Sequence, residues 1–305
     1  MDPPKTLENE PQKIGLAIRG GGFLGIFEVG ALKVIEEYGI PIEMGIGDSV
    51  GAINLSAFFS DGCSVEHLIS VWMSLKNPSS VFDREYTSHF LWQLGRVSSL
   101  YRIKPLLRLI GDNLDANKLV GQPKEFFTAV THLVTGKVLH ISNKDPEIVA
   151  DPIKNLLIIA ASCAIPGLFP PVPIKYQGSY EWYVDGVCGR TAPIRKCIEV
   201  GCDTVIVIRC HSEKVPNKVP EWWGPGLSVA LTMHSQSKEE DEIIAVRKEY
   251  PQVSIFVVEP EWIPDSLTTV SFKKGDFEKT LAEGERIARR ELEPLRHYFR
   301  TRNNP

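Results

Sequence analysis

The patterned part of the chain begins at Ile14-Gly15-Leu16-Ala17-Ile18, an unbroken apolar run that opens into Arg19-Gly20-Gly21-Gly22. A short run without alternation predicts a strand buried on both faces, here feeding a glycine loop. Leu24, Phe27, Ala31, Val34, Ile35 and Tyr38 then recur at three- and four-residue steps, which sets them on one face of a helix, and Gly39 with Pro41 stops it. Ile42 to Gly47 predicts a second strand, and Val50 to Phe59, apolar nearly all round, a buried helix. The order β-loop-α-β-turn-α requires a crossover and therefore a parallel pairing of the two strands.

Beyond residue 60 the pattern is helical from Ser64 to about Leu114, with breaks at Asn77-Pro78-Ser79-Ser80 and near Lys104-Pro105. Phe126 to Val134 and Lys137 to Ile141 flank Thr135-Gly136 as a hairpin, and Val172 to Tyr176 with Trp182 to Val184 flank Gln177-Gly178-Ser179 as another. Asp151-Pro152 has the chemistry of a helix start, the helix running to about Cys163. Thr204 to Cys210 and Val253 to Val258 read as buried parallel strands, with long helices over Leu227 to Tyr250 and Asp276 to Arg302. The expected architecture is one α/β domain over residues 14–305, a mainly parallel central sheet between helices. A loose polar tail at 1–13 precedes it, and a helical cap occupies about 64–120.

Composition narrows the function classes. The 305 residues are 43% hydrophobic and 24% charged, as in soluble globular chains. The formal net charge of −4 supplies no positive field for a polyanion, which excludes nucleic acid as a partner. No run reaches the roughly 18 apolar residues of a membrane span, and no apolar segment follows a basic start, so the expectation is a cytoplasmic protein with at most peripheral membrane contact. The six cysteines lie scattered without paired spacing and read as reduced thiols. The histidines show no metal-ligand spacing, and neither a metal nor another cofactor is expected.

Gly47-Asp48-Ser49-Val50-Gly51 fits G-x-S-x-G, in which a sharp strand-to-helix turn exposes a serine while glycines relieve backbone crowding. The predicted strand ends at Gly47 and the helix begins near Val50, so Ser49 stands at the positive end of a helix dipole. Gly20-Gly21-Gly22-Phe23-Leu24-Gly25 has two readings. It satisfies the dinucleotide pattern G-x-G-x-x-G, with Asp48 as the acidic ribose ligand, and it equally supplies free backbone N–H groups for an oxyanion. Both put an anion at a helix start.

Downstream lie Ala161-Ser162-Cys163-Ala164-Ile165-Pro166-Gly167-Leu168-Phe169-Pro170-Pro171 and then Asp185-Gly186, which have no part in nucleotide binding. The glycine loop, the G-x-S-x-G elbow about thirty residues later, this proline-bearing segment and the Asp-Gly, in that order, resemble the patatin-like phospholipases over most of residues 14–300. The resemblance implies a three-layer fold and metal-free hydrolysis of lipid acyl esters, with phospholipid or lysophospholipid as substrate. It makes Ser49 the nucleophile, Asp185 its base and the Gly20, Gly21 and Gly22 backbone the oxyanion hole. Two positions depart from the family: Leu24 where a basic residue is common, and Val187 where Gly or Ala commonly follows the Asp-Gly.

Chemically, a serine hydroxyl needs a base to take its proton, and an aspartate with the ordinary pKa near 3.9 is ionised and ready at neutral pH. A Ser-Asp-His triad through His211 or His234 is the alternative assignment of the base. A nucleotide-binding protein using Gly20 to Gly25 and a non-catalytic lipid-binding relative are the alternatives for the whole chain. Residues 79–114 combine Phe82, Phe90, Trp92, Leu106, Leu107 and Ile110 with Arg96, Arg102, Lys104 and Arg108, as either core-facing helices or an acyl-facing cap. The arginines of the last helix read as a solvated face, and Trp222-Trp223 as loop packing or an interfacial anchor.

Overall fold

The structure, a computed structural model, describes residues 13–60, 64–83, 99–189, 191–211 and 237–303. Phe90, Trp92, Arg96, Trp222, Trp223 and His234 lie outside the described residues.

The opening unit follows its pattern closely. Strand β1 (Ile14–Ile18) is wholly buried, helix α1 (Ile26–Glu37) follows a single 3-10 turn at Gly22–Gly25, and β2 (Ile42–Gly47) leads into α2 (Val50–Phe59). After α3 (Val65–Ser74), α4 (Lys104–Asn113) and α5 (Ala116–Gly121) come the hairpin β3 (Glu125–His132) and β4 (Val138–Ser142). Helices α6 (Pro146–Ala150) and α7 (Ile153–Ser162) lead to the hairpin β5 (Val172–Tyr176) and β6 (Ser179–Asp185). Then α8 (Pro193–Glu199), β7 (Thr204–Ile208), α9 (237–249 as described), β8 (Ser254–Val258), α10 (Asp276–Glu291) and α11 (Glu293–Asn303) complete the order.

The strands form one sheet in the order β5-β6-β3-β2-β1-β7-β8, with β4 paired to β3. Its centre, β3-β2-β1-β7-β8, is parallel, and the pairs β3-β4, β3-β6 and β5-β6 are antiparallel. Alternate residues of β1 serve opposite layers. Ile14, Leu16 and Ile18 pack with α1 and α2 residues such as Leu32 and Leu55, while Ala17 joins Ile194 and Cys197 of α8 and Ile243 and Val246 of α9. Helices on both faces of a mostly parallel sheet make the three-layer α/β architecture.

The long helix predicted over Asp276 to Arg302 divides at Leu292. Pro294 lacks an N–H and its ring collides with the carbonyl four residues back, so α10 cannot run through. No helix among the described residues is long and apolar enough to cross a membrane.

Helices α1 and α10 meet backbone to backbone. A Cβ at Gly30 would strike the Leu281 carbonyl, and one at Gly284 the Phe27 carbonyl, each well inside van der Waals contact. Lys33–Glu285 at 2.7 Å and Arg289–Glu37 at 2.6 Å flank the crossing. In an isolated helix Gly→Ala stabilises, by about 0.5–1 kcal/mol. Here the methyl has no room, so Gly284→Ala is expected to destabilise the protein by about 1–3 kcal/mol. A lowered urea midpoint at unchanged m-value checks this.

Candidate active site

Three central strands deliver their carboxyl ends to one edge of the sheet: β1 gives the glycine loop, β2 gives Ser49, and β7 gives Cys210-His211. Ligand sites of open parallel sheets lie at this edge.

Ser49 is the N-cap of α2 with φ 52° and ψ −134°, a conformation that costs an L-residue about 1–3 kcal/mol. The flanking glycines make the turn possible. A Cβ at Gly47 would lie 2.7 Å from Ala52 Cα, and one at Gly51 2.6 Å from the Ile18 carbonyl oxygen. A Cβ at Gly20 would collide with that of Ser49, so the glycine loop lies directly on the elbow. Behind the loop, a Cβ at Gly21 would meet Cys210 Cβ at 2.7 Å, and one at Gly22, whose φ is +59°, would strike the Thr269 carbonyl.

Strand pairing brings Asp185 to the same place. Strand β2 pairs with β3 only as far as Gly47↔Thr128, while β4 covers the other edge of β3 from Phe127 to Thr131. The edge that β2 vacates is taken by β6, with Val130↔Asp185. Asp185 therefore ends its strand two residues beyond the end of β2, where the turn at Ser49 begins. A Cβ at Gly186 would lie 2.7 Å from the Ala129 carbonyl oxygen and 3.0 Å from Asp48 Cβ, which leaves room only for glycine after the aspartate.

The Asp185 carboxyl is fully buried. Its Oδ1 accepts the Val187 N–H at 2.9 Å, and Oδ2 has no hydrogen-bond partner among the described residues. Burial pushes its pKa up to about 8 and Asp48 adds to the rise, against the Val187 N–H, the Ser49 hydroxyl and Arg19. The sequence-based expectation of an ordinary, ionised aspartate is thus corrected by desolvation. The Ser49 hydroxyl is near enough to favour the anion, yet Oδ2 is left without a well-formed bond among the described residues.

Asp48, beside Ser49, is engaged on the other side. Arg19 NH1 lies 2.8 Å from its Oδ2, and the Gly20 N–H donates to its Oδ1 at 2.9 Å. Arg19 also donates to Thr191 Oγ1 and approaches Glu239 at 3.5 Å. The negative neighbour of Ser49 is therefore neutralised. The Gly20 N–H is committed to Asp48, the Phe23 N–H to the Thr269 carbonyl and the Leu24 N–H to the Gly21 carbonyl, while Gly21 and Gly22 N–H make no hydrogen bond among the described residues.

His211 sits behind the glycine loop, its Nε2 3.3 Å from where a Gly21 Cβ would be. No hydrogen bond among the described residues joins it to Ser49 or Asp185, and burial lowers its pKa to about 4. Also behind the loop, the buried Glu28 carboxyl accepts from Asn54 at 2.7 Å and from the Cys210 thiol at 2.9 Å.

Ser49 and Gly22 open into a concave cleft walled almost wholly by apolar side chains, as ligand pockets commonly are. Its walls are Val50, Ile53 and Ala57 of α2, Leu68, Val71 and Trp72 of α3, and Leu106, Leu109 and Ile110 of α4, with Phe82, Ile165 and Phe169. Part of the segment read as a cap thus lines the cleft, and part, including Trp92, lies outside the described residues.

The profile of the Patatin-like phospholipase family matches residues 16–198, more than half of the chain. The chain belongs to the patatin-like phospholipase family. Among its relatives, the uncharacterized protein YjjU of Escherichia coli is 27% identical over 230 residues, covering 70% of this chain and 56% of YjjU. Triacylglycerol lipase 4 of Saccharomyces cerevisiae is 27% identical over 233 residues, 67% of this chain and 25% of that protein. Lysophospholipase NTE1 of Candida glabrata is 24% identical, over 71% of this chain and 11% of its own length. The chain thus spans about half the length of YjjU and far less of the yeast enzymes. In fold it is similar to VipD from Legionella pneumophila, with a TM-score of 0.52 at 12% identity, covering 93% of this chain and 67% of VipD.

Three features of the site were not legible before folding. Ser162 donates to the Ala129 carbonyl and accepts the Ser49 N–H, Thr269 backs the glycine loop from beyond residue 198, and Arg19 neutralises Asp48. Only Arg19 gave a signal, as a cation ending a buried strand, which demands a carboxylate partner.

The Asp185 carboxyl also predicts a pH signature in stability. Folding raises its pKa from 3.8 to about 8, so its contribution is fully present below about pH 4 and is lost as pH rises toward 8. Asp185→Asn has no charge to bury. Its unfolding midpoint relative to the native chain is expected to climb between about pH 4 and pH 8 and to level off above, as thermal denaturation across pH will show.

Proposed function

We propose that the chain is a serine lipid acyl hydrolase that cleaves carboxylic ester bonds of phospholipids or lysophospholipids, with Ser49 as nucleophile and Asp185 as base. What carries this reading is the strained elbow of Ser49 beside a buried aspartate oxygen without a fixed partner, at the end of an apolar cleft. The acyl chain lies among Ile53, Val71 and Leu109, which places the ester carbonyl at Ser49. Asp185 takes the hydroxyl proton as Oγ attacks, and the developing oxyanion receives the N–H groups of Gly21 and Gly22. Collapse expels the alcohol, which takes the proton from Asp185. Water, activated by the same carboxylate, then hydrolyses the acyl-enzyme.

Gly20 serves by position, holding Asp48 and lying against Ser49. The competing nucleotide reading of Gly20 to Gly25 is disfavoured by packing. Asp48, its ribose ligand, is buried against Arg19, and the Thr269 carbonyl fills the space over Gly22. A non-catalytic lipid binder has no use for the strain stored at Ser49.

Ser49→Ala and Asp185→Asn are each expected to abolish cleavage of a p-nitrophenyl ester and, for Ser49→Ala, labelling by a fluorophosphonate. His211→Ala is expected to leave most activity, and a His211→Ala enzyme as inactive as Ser49→Ala would move the base to histidine. Gly21→Val should lower kcat by about 10² or more in a folded protein. Because the base must be ionised, kcat/KM of the free enzyme should rise with pH through about 8; a histidine held near 4 would leave it flat across neutrality. Ile53→Trp, which fills the cleft, should impair long-chain esters more than acetate esters, and equal losses would remove the acyl assignment.

A further inference from the structure

The Ala161-Ser162-Cys163-Ala164 segment touches both members of the proposed dyad. Ser162 ends α7 and is fully buried. Its hydroxyl uses both of its capacities. It donates to the Ala129 carbonyl at 2.7 Å and accepts the Ser49 N–H at 2.9 Å. Ala129 precedes Val130, the β3 residue that pairs with Asp185. Two residues after Ser162, the Ala164 carbonyl accepts the Asp185 N–H at 3.0 Å.

We infer that Ser162 is a positioning residue that fixes the separation of Ser49 and Asp185, the segment acting as a clamp between elbow and base. This rests on the reading of Ser49 and Asp185 as nucleophile and base. The physical need is specific. Ser49 is the N-cap of α2, so its N–H has no acceptor within that helix and, being buried, requires one elsewhere. The Ala129 carbonyl of strand β3 accepts from the Ser162 hydroxyl, and the Ser49 N–H reaches that strand only through the same hydroxyl. A hydroxyl between them joins donor to acceptor and ties the elbow to the strand that carries Asp185. Alanine at 162 leaves the Ser49 N–H and the Ala129 carbonyl unpaired and frees the elbow to relax its strained turn. Because proton transfer demands close alignment, a displacement of about 1 Å costs on the order of 10²-fold in rate.

The test is steady-state hydrolysis of a short-chain p-nitrophenyl ester, with active sites counted by fluorophosphonate titration and thermal unfolding followed in parallel. Ser162→Ala is expected to lower kcat per active site by about 10²-fold while KM stays within about threefold, and to slow fluorophosphonate labelling in proportion. Ser162→Thr, which keeps the hydroxyl, should recover most of that loss. If Ser162→Ala does not fold, Ser162→Cys carries the test, since the thiol keeps the volume but bonds weakly, and the same fall in kcat at constant KM is expected. A folded variant with native kcat per active site overturns the inference, even if its unfolding temperature falls. Ser49→Ala distinguishes the two levels: activity in that variant defeats the reading of the nucleophile itself, whereas an inactive Ser49→Ala beside a fully active Ser162→Ala defeats the clamp alone.

Discussion

The close approach of two backbone turns, one after β1 and one after β2, governs the whole site. The Ile18 carbonyl lies against Gly51, and Gly20 lies against Ser49, at distances that admit no side chain between them. Within this contact Ser49 is forced to φ 52°. The strain is sustained because the elbow is fastened on every side. Helix α2 buries its own Leu55, Ala57 and Phe59, the Asp48 N–H donates to the Ile18 carbonyl, and the Ser49 N–H donates to the Ser162 hydroxyl. Interiors at crystal-like density do not yield by small amounts, so a turn held in this way stays put.

Two buried aspartates stand close to Ser49, and their surroundings give them different chemistry. Asp48 has a guanidinium and a backbone N–H, a compensated pair that serves as a joint between glycine loop and elbow. Asp185 has one N–H and, among the described residues, neither an ion pair nor a hydrogen-bond partner for its second oxygen, and burial drives it toward the protonated form. Two otherwise identical carboxyls are thus set apart by their surroundings, the condition under which the proposed division into joint and base can work.

The portion of the chain beyond the matched residues 16–198 completes the site from behind. Thr269 packs its carbonyl on Gly22 and accepts the Phe23 N–H, and α10 presses its backbone onto α1 through Gly30 and Gly284. Phe23, at the turn between loop and helix, stacks edge-on against Phe272 and Phe82. The glycine loop is thereby wedged between the early α/β unit and the late helices, and the apolar cleft lies on the α2, α3 and α4 side of it.

The sequence by itself determined the parallel α/β order, the positions of loop, elbow and Asp-Gly, and the apolar character of the helices near them. Those features are local: a period of 3.6, an unbroken apolar run, or a glycine where a turn admits nothing else leaves a mark on neighbouring residues. The sequence also carried Ser49 and Asp185 as a pair, through their order and the segment between them. Only the tertiary structure decided that β6 takes the edge of β3 that β2 vacates, because strand pairing joins residues more than fifty positions apart with no periodic trace. For the same reason the partners Arg19 of Asp48, Ser162 of Ser49 and Thr269 of the glycine loop, and the raised pKa of Asp185, emerge only on folding. Hydrogen-bond partners and desolvation depend on what closes around a group in three dimensions, and a linear chain does not contain that enclosure.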